Sequence, residues 1–317
     1  MHSALKENSL FNLIDFSVVV PVFCGAPSLN RLFEEIKSEF EKLNATFEVV
    51  FVDDASPDNA LEVLVALQTQ FPNHVQYISL NGNHGQHKAT FCGILHTKGN
   101  YIITIDDDLE TPTNQIACLI ACLEKTSSEL IYGIPKAAKT GYVRDKAGFL
   151  FKKLLSKGAE SNGQGSSFRL FNGQLRNKLA AINFEFVFLD EILHWHVSKI
   201  ELVEVTNENR AHGKSGYSTF KLVKIALGVL FNYSDFPIKL MIWGGTFSAL
   251  LCISFGFYHI YNKLFNDVQL GFTSLITAIF FSSGVILFAM GIVGEYLRKI
   301  YFLQLGKQNF KIKTSSF

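Results

Sequence analysis

From Phe16 to Ile134 the chain alternates between two rhythms. Short apolar runs at Phe16–Phe23 (FSVVVPVF), Phe47–Asp54 (FEVVFVDD), Val75–Leu80, Tyr101–Asp106 (YIITID) and Leu130–Ile134 read as strands. Unbroken runs of this kind fit strands buried on both faces of a sheet. Between them, Ser28–Leu43, Asn59–Gln70, Gln86–Thr97 and Pro112–Lys125 read as helices, the first following Pro27. This β-α-β-α order predicts an α/β fold with a doubly wound, mainly parallel sheet. In such sheets ligands bind beyond the carboxyl ends of the strands. No G-x-G-x-x-G follows the first strand, which argues against a dinucleotide oxidoreductase, and no G-x-x-x-x-G-K-[ST] occurs, which excludes P-loop NTPase chemistry.

The pattern changes towards the C-terminus. No charged residue lies between Lys239 and Lys263, and none between Asp267 and Glu295. A bilayer core takes a helix of roughly 20 apolar residues, so two membrane spans are expected. Basic residues gather outside them: Lys214, Lys221, Lys224 and Lys239 before, and Arg298, Lys299, Lys307, Lys311 and Lys313 after. The positive-inside rule puts both flanks in the cytoplasm. Phe220, Val223, Leu227 and Leu230 recur at helical spacing with Lys221 and Lys224 off their stripe, predicting an amphipathic helix in the membrane interface. The expected division is 1–216 catalytic, 217–235 juxtamembrane, 236–298 membrane hairpin and 299–317 basic tail. Hydrophobic residues make up 48% of the chain, with 30 Phe, an excess that the hairpin accommodates. A net charge of +1 gives no electrostatic footprint for nucleic acid. The five cysteines form no CxxC pair, which argues against structural zinc and for a reducing compartment. The N-terminal residues, with Lys6, Glu7 and Asp15, lack the apolar core of a secretory signal.

Two of the strand ends carry carboxylates. Asp106, Asp107 and Asp108, with Glu110, follow IITI. Crowded carboxylates disfavour each other's ionisation, and a divalent cation relieves that cost. Oxygen ligands suit Mg²⁺ or Mn²⁺. Alternation along an extended segment points Asp106 and Asp108 the same way and Asp107 elsewhere. The second cluster is Asp53-Asp54-Ala55-Ser56-Pro57-Asp58. Asp58 suits a helix cap, while Asp53 and Asp54 could accept hydrogen bonds from a base and a ribose.

VVVPVF, VDDASPD and DDDLETP in this order resemble glycosyltransferase family 2, with its GT-A fold, and more narrowly its polyprenyl-phosphate glycosyltransferases. The resemblance extends through GQHKA (Gly85–Ala89), SFRL (Ser167–Leu170), GKSGYS (Gly213–Ser218) and the apolar hairpin ending in GEYLRKIY (Gly294–Tyr301). It implies that Pro21, Phe23, Asp53 and Asp54 hold the nucleotide-sugar, with Asp107 beside them. It implies a metal on Asp106, Asp108 and Glu110. It places acceptor-phosphate contacts at Lys136, Arg144, Arg169, Arg210, Lys214 and Ser215, with Arg144 also at the reacting phosphate. Cys24-Gly25 stand where the family usually carries Asn-Glu, and the triple Asp replaces the commoner Asp-Ala-Asp. The implied setting is a bacterial inner membrane, with both termini cytoplasmic, a role in O-antigen or other surface-glycan synthesis, and homo-oligomers that the small residues of the hairpin permit.

The chemistry follows from the reactants. A phosphomonoester is mostly dianionic at neutral pH, so a polyprenyl-phosphate oxygen can attack the anomeric carbon without a general base. Attack opposite the leaving nucleoside diphosphate inverts configuration. The site then has to align the reactants and neutralise charge. A transferase that extends a lipid-linked glycan would use a hydroxyl acceptor and need a base, for which Asp190 in FLDEI is the candidate. Asp190 reads equally as a carboxylate favoured by a helix N-terminus. A third reading is a membrane-tethered binding protein that has lost catalysis.

Overall fold

The computed structural model describes residues 14–135, 165–181, 188–206, 236–265, 271–304 and 310–317. The chain divides into two units, one of residues 1–219 with 308–317 and the other of residues 220–307.

In the first unit, β1 (Phe16–Val22), β2 (Phe47–Asp53), β3 (Val75–Leu80) and β4 (Tyr101–Thr104) pair in parallel, with β1 between β2 and β4. All seven residues of β1 and of β2 are buried, because helices cover both faces of a parallel sheet. Pro21 sits in β1 without a β4 partner, since that pairing ends at Val19 opposite Thr104. A missing N–H is tolerated beyond the last ladder pair.

Helix α1 (Ala26–Leu43) starts with a proline in its first turn and stops at Asn44 in the left-handed conformation. Its buried stripe is Leu29, Leu32, Phe33, Ile36 and Phe40, the i, i+3, i+4 spacing of an amphipathic helix. Helices α2 (Ala60–Gln70), α3 (Gln86–Leu95) and α4 (Ile116–Thr126) complete the βα repeats, α4 entered through a 3-10 turn at Thr113–Gln115.

Four strands lie beyond this repeat or close it. β5 (Leu130–Pro135), β6 (Arg169–Asn172), β7 (Ile200–Val205) and β8 (Ile312–Ser315) give one eight-stranded sheet in the order β7-β5-β6-β4-β1-β2-β3-β8. β6 runs antiparallel to both β4 and β5. β8 runs antiparallel to β3 and forms the far edge, so part of the expected basic tail is a sheet element. Two short helices follow β6 in the chain, α5 (Leu175–Ala180), which packs on α3, and α6 (Leu189–His194).

The second unit is a helical hairpin, α7 (Phe236–Phe265) and α8 (Phe272–Gln304). The stretches Ile238–Tyr258 and Phe281–Arg298 are long and apolar enough to cross a membrane. Their large side chains point outward: Trp243, Phe247, Phe257, Leu287 and Phe288 are all more than half exposed.

Candidate active site

Three loops leave the carboxyl ends of β1, β2 and β4, and each contains a non-glycine residue with positive φ: Cys24 (60°), Ala55 (55°) and Leu109 (58°). Such residues cost about 1–3 kcal/mol each and persist where surrounding contacts over-determine them. Those contacts are present. The Phe23 N–H donates to Asp107 Oδ2 (3.2 Å), Cys24 N–H to Ser56 Oγ (3.2 Å) and Ala26 N–H to Asp58 Oδ2 (3.1 Å). Phe23 itself is 48% exposed just past the carboxyl end of β1.

Asp53 ends β2. Its Oδ1 accepts from Ser56 N–H (2.9 Å) and its Oδ2 from Ser79 Oγ–H on β3 (2.9 Å). Asp54 accepts from the N–H groups of His84 and Gly85, both at 2.7 Å, and so holds the loop that opens α3. Burial pushes the Asp54 carboxyl up, and these two N–H bonds pull it back. A pocket of about 290 Å³ opens beside Asp53, lined among others by Ser56, Asp58, Asn59, Ser79 and Lys313 of β8.

Asp106 lies two residues past β4. Its Oδ1 accepts from Gln86 Nε2 (2.6 Å) at the start of α3, and its Oδ2 from Ser167 Oγ (2.7 Å). Ser167 is itself fixed, since its carbonyl accepts from Thr104 Oγ1. Burial raises the Asp106 carboxyl most; Asp108 and Glu110 add to the rise, while Ser167 and Arg169 oppose it. Asp107 lies in a turn rather than an extended segment, and its carboxylate faces the β1 loop. Burial carries it up to about 7 against the pull of the Phe23 N–H, with Asp106 and Asp108 pushing further. Asp108 Oδ1 accepts from Glu110 N–H (3.0 Å).

Among the described residues no group of three or more His, Cys, Asp or Glu side chains gathers into a metal-holding cluster, so the set Asp106, Asp108 and Glu110 is not assembled as such. The donor chemistry nevertheless fits a hard divalent ion. The carboxylates oppose one another's ionisation, and Mg²⁺ commonly takes one or two carboxylates and completes its shell with water and substrate phosphate.

Arg169 and Asp190, given separate roles by the sequence reading, form one buried ion pair (Nη1–Oδ1, 2.7 Å). Arg169 stands in β6 between Thr104 of β4 and Tyr132 of β5. Tyr132 OH, Arg169 Nε and His194 Nε2 are buried without hydrogen-bond partners among the described residues. The nearby His87 is pushed down to about 4 by burial; Asp190 pulls it up and Arg169 presses it further down. Lys136, Arg144, Arg210, Lys214, Ser215 and the expected interfacial helix lie outside the described residues. Gln86 and Ser167 lie 20 residues before Asp106 and 61 after it, so the sequence carries no local signal of their part at Asp106.

Residues 17–182, more than half of the chain, match the model of glycosyl transferase family 2. The chain belongs to that family. Residues 236–300 match the GtrB C-terminal hairpin, the segment occupied here by α7 and most of α8. The chain is 28% identical to the bactoprenol glucosyl transferase of Shigella phage SfX, over 94% of this chain and 98% of that protein. It is 26% identical to the undecaprenyl-phosphate 4-deoxy-4-formamido-L-arabinose transferase of Shewanella sediminis (strain HAW-EB3), over 91% and 88%. Among solved structures, glucosyl-3-phosphoglycerate synthase from Mycobacterium tuberculosis, in complex with Mn²⁺, UDP-glucose and phosphoglyceric acid, aligns with a TM-score of 0.51. That likeness has 16% identity, covers 69% of this chain and 78% of that one, and shows the GT-A fold. This family 2 member is therefore a glycosyltransferase, with its acidic loops at the carboxyl ends of the strands.

Proposed function

We propose that this glycosyltransferase moves a sugar from a UDP- or GDP-linked donor to a polyprenyl phosphate, undecaprenyl phosphate in a bacterium, with inversion at the anomeric carbon. The observation that carries the reading is end-to-end likeness, hairpin included, to the bactoprenol glucosyl transferase of Shigella phage SfX. The product is a polyprenyl-monophosphate sugar for surface-glycan synthesis or modification. The reaction takes place at the cytoplasmic face of the inner membrane, where the spans of 236–298 anchor the catalytic residues 1–216 and the segment 217–235 lies in the interface. The small residues of the hairpin support assembly into homo-oligomers.

Phe23, Pro21, Asp53 and Asp54 form the base and ribose side of the donor site. Asp106 and Asp108, with Glu110 near them, would hold Mg²⁺ or Mn²⁺, which offsets the charge of the departing diphosphate when bound. Gln86 and Ser167 orient Asp106. Lys136, Arg144, Arg210, Lys214 and Ser215 supply cations and a hydroxyl to the acceptor phosphate, and Arg169 sets the charge on the acceptor side. The acceptor oxygen is already anionic, so no protein base is required. The Asp190 oxygen engaged by Arg169 supports that economy.

The test is direct. Detergent-solubilised protein is incubated with undecaprenyl phosphate, Mg²⁺ and a panel of nucleotide-sugars, and lipids are read by mass spectrometry. A monophosphate-linked sugar lipid from one donor, lost with Asp108→Ala and with chelator, is the expected result. Transfer only to a lipid-linked saccharide would replace the proposal with glycan extension and bring Asp190 forward as base.

A further inference from the structure

The acidic loop after β4 is tied to the loop after β1 and to the start of α1. Asp107 sends its carboxylate across to the β1 loop, where Oδ2 accepts the Phe23 N–H. It lies where a side chain on residue 25 would be: a Cβ on Gly25 would stand 2.1 Å from Asp107 Oδ2 and 2.9 Å from its Cγ. A contact that short with a β-carbon is not sustained, so the inward carboxylate requires a glycine at 25. A second tie lies just below. The Ser28 hydroxyl stands between two carbonyls, 2.8 Å from Gly25 O and 2.6 Å from Asp107 O. Each loop carries a non-glycine residue at positive φ, Cys24 and Leu109, a costly conformation that persists where surrounding contacts over-determine it.

We propose that Asp107 is a positioning residue that locks the Phe23–Gly25 loop to the acidic loop, so that the base side and the diphosphate side of the donor site are set as one unit. The inference rests on the donor-site reading of these loops. It goes beyond that reading by giving Asp107 a target in the protein rather than in the ligand. It also accounts for two features of the sequence together, the glycine at 25 and the carboxylate at 107. A side chain at 25 and an inward carboxylate at 107 are alternatives for one space.

Three variants separate this role from its rivals. Asp107→Ala removes the acceptor. Gly25→Ala displaces the carboxylate. Asp107→Asn keeps an oxygen that can accept the Phe23 N–H while removing the charge. With the donor found active in the assay above, Asp107→Ala and Gly25→Ala should each raise the donor KM about tenfold, the scale of one lost hydrogen bond, with a smaller change in kcat. The double variant should be no worse than the worse single, because the Cβ then enters vacated space. Asp107→Asn should recover most of the loss. About hundredfold, additive loss in the double variant, or an Asn variant as impaired as Ala, would overturn the proposal and return Asp107 to a direct role in charge. Hydrogen exchange of the full-length protein in detergent, without ligand, decides the lock even if no donor is ever turned over. Asp107→Ala should speed exchange of the Phe23 amide while the β2 amides stay protected. Unchanged exchange at Phe23 would sink the lock, whereas failure of every donor with the exchange result intact would sink only the donor-site reading.

Discussion

His87 is a partly buried base in a charged neighbourhood. It sits in the first turn of α3, its ring 4.8 Å from that of Phe188, and burial pushes it down to about 4 from an ordinary 6.5. The unfolded chain binds a proton as the pH falls through 6.5, and the folded chain does not until about 4. Stability from the neutral imidazole is therefore complete above 6.5 and is lost progressively down to 4. The raised carboxyls Asp54, Asp106 and Asp107 act in the opposite sense: unfolded carboxyls give up their protons at lower pH than these do, so acid favours the fold through them. Only a difference between variants isolates the histidine. Thermal unfolding of wild type and His87→Gln at pH 7 and pH 5 should show a smaller acid-induced drop in the variant. Equal drops would mean that the imidazole is accessible to protons in the folded state. The residue scale also marks where the sequence was readable. The carboxylates announce themselves by crowding at strand ends. Their partners do not: an uncharged Gln86 and Ser167 become meaningful only when α3 and β6 converge on Asp106.

The same contrast holds for elements. β1 and β2 were legible because burial on both faces demands unbroken apolar runs, and FSVVVPV and FEVVFVD provide them. β6 has only four residues and carries Arg169 into the sheet interior, which hides it from a hydrophobicity reading. β7 (IELVEV) lies at one edge and β8 (IKTS) at the other, and every β8 side chain is exposed, so their polar content is what an edge requires. β8 is held through its backbone and its flanks. Asn81 N–H donates to Lys311 O (2.9 Å) and Ser316 N–H to Tyr77 O (3.1 Å). Phe310 packs on the cluster of Val50, Val52, Ile78, Leu80, Ala89 and Cys92. Phe310→Ala should cost about 1–2 kcal/mol, less than a fully buried Phe because this ring is only partly covered. Thiol labelling provides a local readout. Cys92 is fully buried, with its thiol pushed up to about 12, whereas Cys24 and Cys118 are exposed. Labelling of Cys92 should accelerate in Phe310→Ala while that of Cys118 stays constant. A Cys92 rate unmoved by the substitution would show that the tail does not cover this cluster in solution.

At the scale of the molecule, the first unit is discontinuous: residues 1–219 and 308–317 belong together, with the apolar hairpin inserted between them. A chain so arranged cannot lose its hairpin by simple truncation without also losing β8. Among the described residues the hairpin's candidate spans are almost wholly uncovered, 0% and 6% buried, an apolar surface of the kind that marks a membrane or protein contact. The sheet unit, by contrast, has its own core, from Val18 and Phe51 to Leu170. Two deletions therefore differ in a predictable way. Ending the chain at Thr219 removes hairpin and edge strand together, leaving the β3 edge unpaired and the Phe310 contact absent. Replacing residues 220–307 by a long flexible Gly/Ser linker removes the hairpin alone, and a linker of this kind adds little closure entropy with length. Both proteins should dissolve without detergent. The linker version should unfold cooperatively at a temperature several degrees above that of the truncated one, the shift expected for about 2–3 kcal/mol in a domain of this size. Equal midpoints would mean that β8 adds nothing to the sheet. A linker version that still aggregates would mean that the sheet unit presents an apolar surface which the hairpin or membrane normally covers.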